Sequence, residues 1–433
     1  HHVDRVVRTL TPGARAALAR LLEDGERSAR GAAATLLVLA RDRASISAVM
    51  ALGADGLLPS STLTALSSWG IDAVPALLEV FEASHGGVRA CALETAAGLA
   101  VDAPATAKLD EAVEASLRQG VLHALTDSDE HVRRSAARSL SWWASPADAQ
   151  VLVDLVCASD DDVSLACGQA LEHIASTSPS AVAEALADRE IAGPGAAALV
   201  GVVAKLGGHE AVARLSSVMS AREPAVRRAA IAALSTLDES GTVELLALAL
   251  ADENADVRAA AARALGRAGT RANVALCVDA LLLALDGDEP RVRAEVAEAL
   301  GRLRIEAARA PLAELVRGDG DANVVLSALS ALGCFASSAL DAPIARAVTH
   351  PDEEVVKTAL RLGVEARLAS VRPLVERALA HPAWDVRIAA AQDLASYADA
   401  AAVERLRERA EYETDAMVAR AIREAIAIAE GAD

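Results

Sequence analysis

The residues that most often carry chemistry are scattered through this sequence and do not cluster in any catalytic pattern. Its five cysteines form no CxxC pair, and its histidines form no HxxxH or HExxH pattern. Metal ions usually require closely spaced ligands of this kind. The chain also contains no phosphate-binding loop and no GxSxG nucleophile motif. We therefore predict a protein that is not an enzyme, with no catalytic residue, no metal ligand and no cofactor.

A row of basic residues is the strongest candidate for a binding surface. These residues lie two or six positions after an anchor residue, most often valine, that recurs at regular intervals along the chain: Arg134, Arg138, Arg228, Arg263, Lys357, Arg361 and Arg420. Only Glu94, Glu298 and Glu424 place an acid at the same positions, although the whole chain has a net charge of −19. A mildly basic face favours an acidic helix or peptide as partner. The alternative is a solvated face in which arginine serves helix propensity.

Two adjacent tryptophans, Trp142 and Trp143, are the second candidate for partner binding. Adjacent side chains on a helix point about 100° apart, so both cannot face the core. One of them would then be an exposed interface anchor, a role in which tryptophan is enriched. The alternative is packing against the core or against extra residues in the neighbouring segment 101–119.

A repeated pair of predicted helices must position these candidates. In the clearest copy, residues 242–269, a polar turn around Asn254 supplies caps for the second helix. The apolar set of the first helix is Leu245, Leu246, Leu248 and Leu250. The second helix carries the i, i+3, i+4, i+7, i+8 stripe of an amphipathic helix on Val257, Ala260, Ala261, Ala264 and Leu265. Its alanines predict close packing between neighbouring helices.

The same pattern recurs along almost the whole sequence. With Val257 as the anchor, the equivalent positions are Ala29, Ser61, Val88, Val132, Val163, Gly195, Val226, Val292, Val324, Val355, Val386 and Val418. Most intervals between anchors agree to within one position, at about 31 residues, and self-similarity at such a period indicates a solenoid. We predict an all-α solenoid of about 13 two-helix repeats, a single array over residues 1–433. An insertion near 101–119 and an irregular repeat near 176–206 interrupt it without forming a domain boundary.

Several second helices open on a V-R-x-A-A element. It occurs in full or in part at Val132-Arg133, Val226-Arg227, Val257-Arg258, Val292-Arg293 and Val386-Arg387. Together with the period of the repeat, the element resembles the phycobilisome-lyase-like subclass of HEAT repeats. The resemblance implies a right-handed α-α superhelix whose second helices line the concave face. Such repeats occur in lyases, regulators and adaptors, so the resemblance implies no single function.

An arginine directly after the anchor recurs at one geometric place: Arg89, Arg133, Arg227, Arg258, Arg293 and Arg387. Acidic residues recur just before the anchor: Asp129, Asp160, Glu223, Asp256, Asp321, Asp352 and Asp385. We predict a ladder of helix caps and inter-repeat ion pairs, with a row of binding arginines as the alternative. The ladder should be weaker where the arginine is missing, at Ser164, Val325 and Val356. His350 and His381, each followed by proline, are predicted to act in turns.

The amino-acid composition limits which kinds of partner and which cellular compartment we predict. Acidic residues outnumber basic ones by 61 to 42, which disfavours nucleic acid and anionic membrane surfaces as partners. No apolar run of the sequence is long enough to span a bilayer, so we predict no membrane insertion. An odd number of cysteines without CxxC spacing indicates free thiols in a reducing cytoplasm. The use of 39 arginines but only three lysines suggests a GC-rich bacterial genome.

These observations together predict a non-catalytic scaffold or adaptor in the cytoplasm. It would bind a partner protein or peptide on the concave face of the solenoid, through the basic row and the paired tryptophans. The alternative is a bilin-lyase-type HEAT protein that acts as a subunit or chaperone in protein modification.

Overall fold

The computed structural model describes residues 10–102, 109–158, 162–239, 241–269, 274–287, 289–335 and 340–431. Within these ranges the chain is all-α, with 26 α-helices, a few short 3-10 turns and no strand. Contacts divide the chain into two compact units, His1–Leu206 and Gly207–Asp433. The all-α fold of two-helix repeats is confirmed, whereas the single array over the whole chain stays a prediction.

The first unit contains twelve described helices. They are α1 Pro12–Asp24, α2 Arg27–Leu39, α3 Ile46–Ala54, α4 Ser60–Ser67, α5 Val74–Ala83, α6 Gly86–Val101, α7 Glu111–Ala124, α8 Glu130–Trp143, α9 Ala149–Ala158, α10 Asp162–Thr177, α11 Pro179–Leu186 and α12 Ala196–Leu206.

The second unit contains fourteen described helices. They are α13 Gly208–Val218, α14 Pro224–Leu234, α15 Thr242–Leu248, α16 Ala255–Ala268, α17 Val274–Ala284, α18 Pro290–Leu303, α19 Arg309–Gly318, α20 Ala322–Leu332, α21 Asp341–Ala347, α22 Glu353–Glu365, α23 Arg372–Ala378, α24 Trp384–Ala395, α25 Ala400–Tyr412 and α26 Ala416–Ala429.

The predicted repeat frame is confirmed throughout the described chain. Odd-numbered helices are first helices and even-numbered ones are second helices, and nearly every anchor lies in the first turn of a second helix. The exception is Gly195, which directly precedes α12. A side chain there would overlap the carbonyl oxygen of Val156, because a Cβ on Gly195 would lie 1.9 Å from it. This contact explains why the irregular repeat near 176–206 lacks the usual valine.

Most neighbouring second helices inside each unit pack directly on one another, as α16 does on α18 and α18 on α20. Their anchor valine and following alanines and leucine are buried, as in Val257, Ala261 and Leu265. Gly301 of α18 permits an especially close approach, because a Cβ at this position would lie only 2.7 Å from the Cα of Ala331. Small residues therefore set the spacing of the stack, as the alanine-rich sequence predicts.

An arginine–carboxylate bridge joins neighbouring repeats at several places. In α14, Arg227 is only 5% exposed, and its Nε and Nη2 donate to the two oxygens of Asp252 at 2.8 and 2.7 Å. Its Nη1 donates to the carbonyl oxygens of Ala221 and Arg222, in the turn before its own helix. The equivalent bridges are Arg89–Asp127, Arg293–Asp319 and Arg387–Glu413. The predicted ladder is thus present at these four places, and Arg227, Arg293 and Arg387 also tie their own turn to the next repeat. Arg133 and Arg258 donate to carbonyl oxygens of the turn before their own helix.

The acids of the ladder differ from those expected. Each bridging carboxylate lies five residues before the next anchor, whereas the predicted acids lie one to three residues before it. Asp129, Asp321 and Asp352 instead cap their helices, accepting backbone N–H groups of the first turn. Asp160 lies outside the described residues. The sequence pattern could not separate the two roles, because both acids belong to the same short turn.

The insertion near 101–119 contains the last residue of α6 and the first part of α7, which begins at Glu111. Residues 103–108 lie outside the described residues. The described part of the segment contains no helix beyond these two.

Candidate protein-binding surfaces

The basic row of the first unit is engaged in ion pairs. Arg134 of α8 pairs with Glu130 one turn earlier and, at 3.0 Å, with Asp162 at the start of α10. Arg138 pairs with Glu94 of α6 at 2.8 Å. Each arginine therefore reaches a carboxylate on a neighbouring second helix.

The row in the second unit is paired in part. Arg263 binds Glu295 on α18, and Lys357 binds Glu354 and Asp385 at 2.6 and 2.8 Å. The hydrogen bonds to Asp385 and then to Glu354 raise the pKa of Lys357.

Two basic residues of this row, Arg228 and Arg361, have exposed side chains and make no ion pair within the described part of the chain. The basic residues of the row are therefore largely neutralised by acids on the same and on neighbouring second helices, and the support that the row gives to an acidic partner is weaker than the sequence suggests.

Trp142 and Trp143 are the last two residues of α8. Their side chains lie outside the described residues, so their role as interface anchors stays a prediction.

A concave, largely apolar groove lies between α4 and α6 of the first unit. Helix α4 is only eight residues long, and α6 packs against α3 in this region. The space left beside α4 is a cavity of about 440 Å³. Its floor consists of Leu58, Leu66 and Leu99, and Leu63, which is 47% exposed, lies along its side.

The edge of this α4–α6 groove is acidic. Glu94 accepts hydrogen bonds from Ser135 Oγ at 3.1 Å and from Arg138, which ties α8 to the groove. Asp102, at the end of α6, is exposed and has no ion-pair partner among the described residues. The groove therefore offers apolar contact on its floor and a carboxylate at its rim, a composition that is common in binding pockets.

The groove also contains a cysteine side chain. The Cys91 thiol lines it, but burial raises its pKa, and a protonated thiol is a poor nucleophile. No group of three or more His, Cys, Asp or Glu side chains in the described part of the chain is placed to hold a metal ion.

Sequence reasoning missed this groove, although a signal was available. The interval from Ser61 to Val88 is about one helical turn shorter than the usual spacing between anchors. The shortened repeat contains α4, which is too short to cover α6 along its length. A short interval in an otherwise regular array is thus an indicator of an uncovered surface.

None of the described helices is both long and apolar enough to cross a lipid bilayer.

Comparison with known proteins identifies the family. A model described as HEAT repeats matches residues 100–172, 179–266, 242–333 and 278–365, which together make up more than half of the chain. The chain belongs to the HEAT-repeat family. No curated protein sequence matches it.

Solved structures with the same architecture include two karyopherins. Kap95p, in a structure with RanGDP, is 16% identical over 99% of this chain and 68% of its own, with a TM-score of 0.59. Kap121p, bound to the extreme C-terminus of Cdc14p, is 14% identical over 97% of this chain and 54% of its own, with a TM-score of 0.61. At these identities the likeness shows the fold alone, an all-α superhelical repeat fold, and this chain spans only about half the length of Kap121p.

The CpcE–CpcF complex of phycocyanin lyase from Nostoc sp. PCC7120 is also similar. It is 22% identical over 49% of this chain and 92% of its own, with a TM-score of 0.32. At this TM-score the match carries no argument about this chain.

Proposed function

We propose that this HEAT-repeat protein is a non-catalytic scaffold that binds a partner protein or peptide on the second-helix surface around the α4–α6 groove. The observation that supports the proposal is the groove itself, an apolar concavity between two second helices of the first unit. Apolar pockets with a few polar groups at the edge are where partner side chains usually anchor. All five cysteines are free, which supports a reducing compartment such as the cytoplasm. The use of 39 arginines against three lysines supports a bacterial source.

Filling the groove tests this proposal. Gly98 lies on α6 at the groove, and a Cβ there would meet no atom within 4 Å. The substitution Gly98→Trp should therefore occupy the groove without overpacking the core. Proteins that crosslink to the wild-type chain and are identified by mass spectrometry should be lost from this variant.

Gly13→Trp is the matched control, because Gly13 lies on α1 and also faces open space. It should retain the crosslinked partners. If Gly98→Trp keeps every partner at the wild-type level, the groove is not the binding site.

The acidic partner predicted from the basic row is tested separately. Arg134→Glu combined with Arg138→Glu should abolish salt-sensitive binding of an acidic protein if the row contacts it. If binding is unchanged, the basic row does not contact the partner, and its ion pairs only hold second helices together.

The bilin-lyase-type alternative also stays a prediction. It requires tetrapyrrole absorbance to remain with the protein after co-incubation and gel filtration.

A further inference from the structure

The neighbouring first helices α15 and α17 of the second unit each carry a strongly exposed leucine. Among the described residues of this unit, no other pair of neighbouring first helices does so. Leu248, the last residue of α15, is 73% exposed, and Leu283 of α17 is 80% exposed. Helix α17 reads VALCVDALLLA, with a single charged residue. A helix that is apolar on nearly every side is normally buried. Here it lies at the surface, so part of its apolar face has no partner within the described chain.

The two leucines are equivalent positions of successive repeats. Leu248 lies nine residues before Val257, and Leu283 lies nine residues before Val292. Because α15 and α17 pack against each other, the leucines lie on neighbouring helices whose axes are about 10 Å apart. Elsewhere in the second unit this position is polar at Ser217, Arg346, Arg377 and Arg409, and in α19 it is Leu315, which is only half-exposed. The apolar surface is therefore local, and no general rule of the repeat requires it.

Carboxylates flank the leucines in the same arrangement on both helices. Glu244 precedes Leu248 by four residues, and Asp279 precedes Leu283 by four, so each acid lies one turn away on the same helix face. Both acids are exposed, and neither has an ion-pair partner in the described part of the chain. Both carboxylates are therefore available to pair with basic residues of a partner.

We propose that the α15–α17 surface docks an amphipathic helix of a partner protein that combines an apolar stripe with lysine or arginine. Its apolar residues cover Leu248 and Leu283, and its basic residues pair with Glu244 and Asp279. This surface is separate from the α4–α6 groove and does not depend on it.

The charges select this occupant over a second copy of the chain. In a two-fold dimer the same patch meets itself, so Glu244 and Asp279 of one copy would face the same acids of the other. Like charges at an interface oppose association, and each copy adds a net charge of −19.

A designed peptide provides the test. It is a helical peptide of about five turns with leucines along one face and lysines beside them, and its affinity for the full chain is measured by fluorescence anisotropy. We expect binding that weakens at least about tenfold in the double variant Leu248→Gln, Leu283→Gln. The matched control, Leu21→Gln with Leu165→Gln, changes exposed leucines of the first unit and should leave the affinity unchanged.

Charge variants test the proposed ion pairs between the peptide and this surface. Glu244→Gln with Asp279→Asn should weaken binding and reduce its salt dependence, and a peptide with glutamates in place of the lysines should not bind. Because all four substituted side chains are exposed, folding should persist, which circular dichroism checks.

Three results would overturn the proposal. The first is equal affinity for the lysine and glutamate peptides, and the second is an affinity that the leucine variants leave unchanged. The third is a dimer, seen by light scattering, that dissociates in the Leu248→Gln, Leu283→Gln variant, since a second copy would then be the occupant.

Discussion

Some joints between neighbouring repeats of the second unit contain an arginine–carboxylate bridge, and others do not. Between α14 and α16, Arg227 forms a bidentate bridge to Asp252 of the next repeat. Between α22 and α24, the equivalent positions are Val356 and His381, and no such bridge is possible. The carboxylate of Asp252 also accepts the Asn254 N–H at 2.8 Å, and Nδ1 of His381 accepts the Ala383 N–H at 3.2 Å. Histidine thus retains the hydrogen bond within the turn and gives up the bond between repeats.

The same exchange occurs at the preceding joint. Val325 takes the place of the arginine and His350 that of the acid, and His350 Nδ1 accepts the Asp352 N–H at 3.1 Å. Arginine and carboxylate are therefore lost together at both joints. This pattern is expected if the bridging acid is tolerated beside a buried turn only when the arginine compensates its charge.

The joint between α22 and α24 also contains a buried carboxyl without a partner. Oδ2 of Asp393 is buried and accepts no hydrogen bond from the described residues. Burial raises the pKa of Asp393 to about 6, with Arg361 opposing the change and Glu365 adding to it. The bridged joint thus pairs its carboxylate with an arginine, whereas the unbridged joint contains a buried carboxyl oxygen that has no partner among the described residues. Substitutions can test that difference.

The largest effect is expected from breaking a bridge. Arg227→Met would leave Asp252 buried without its cation and would remove the donors to two turn carbonyls, at a cost of about 3 kcal/mol in unfolding free energy. Urea denaturation measures the loss, and hydrogen exchange should locate it in α14 and α16. Arg228→Met is the matched control. It changes an exposed neighbour without an ion pair among the described residues and should cost less than about 0.5 kcal/mol. Equal losses in the two variants would show that the bridge does not hold the joint together.

The fold was predictable because one anchor pattern recurs through the chain, while the surfaces depend on contacts between repeats. The neutralisation of Arg134 by Asp162 involves residues 28 positions apart, which only stacking brings together. Similarly, Leu246 and Leu248 both belong to the predicted apolar set of one short helix, yet Leu246 is buried and Leu248 is exposed. A helix of seven residues has too few turns for its periodicity to tell these positions apart.

A smaller effect is expected from installing a bridge where the chain lacks one. Val356→Arg and His381→Asp should each destabilise the protein alone, since one places an arginine at a buried valine and the other leaves an acid unpaired. Combined, they should show a favourable coupling free energy of about 2 kcal/mol in a double-mutant cycle. Val325→Arg with His381→Asp joins positions from different joints and should show no coupling. A coupling of similar size in both cycles would mean that the residues do not meet as the bridged joints do.

The smallest effect concerns the buried carboxyl of the unbridged joint. Because the folded pKa of Asp393 is raised to about 6, the folded protein holds this proton more tightly than the unfolded chain does. The resulting penalty is absent below about pH 4, grows as the pH rises and is complete above about pH 6. Asp393→Asn should therefore stabilise the protein by about 1 kcal/mol at pH 7.5, allowing for partial exposure, and have almost no effect at pH 4.

Asp399 provides the opposite case in the same region. The hydrogen bond from Arg372 lowers its pKa to about 2, so its contribution is present at neutral pH and is lost as the pH falls towards 2. Asp399→Asn should accordingly destabilise the protein at pH 7.5, and thermal melts at both pH values compare the two variants. If both substitutions shift the melting temperature in the same direction at pH 7.5, an ion pair with arginine does not explain the difference between these two carboxyls.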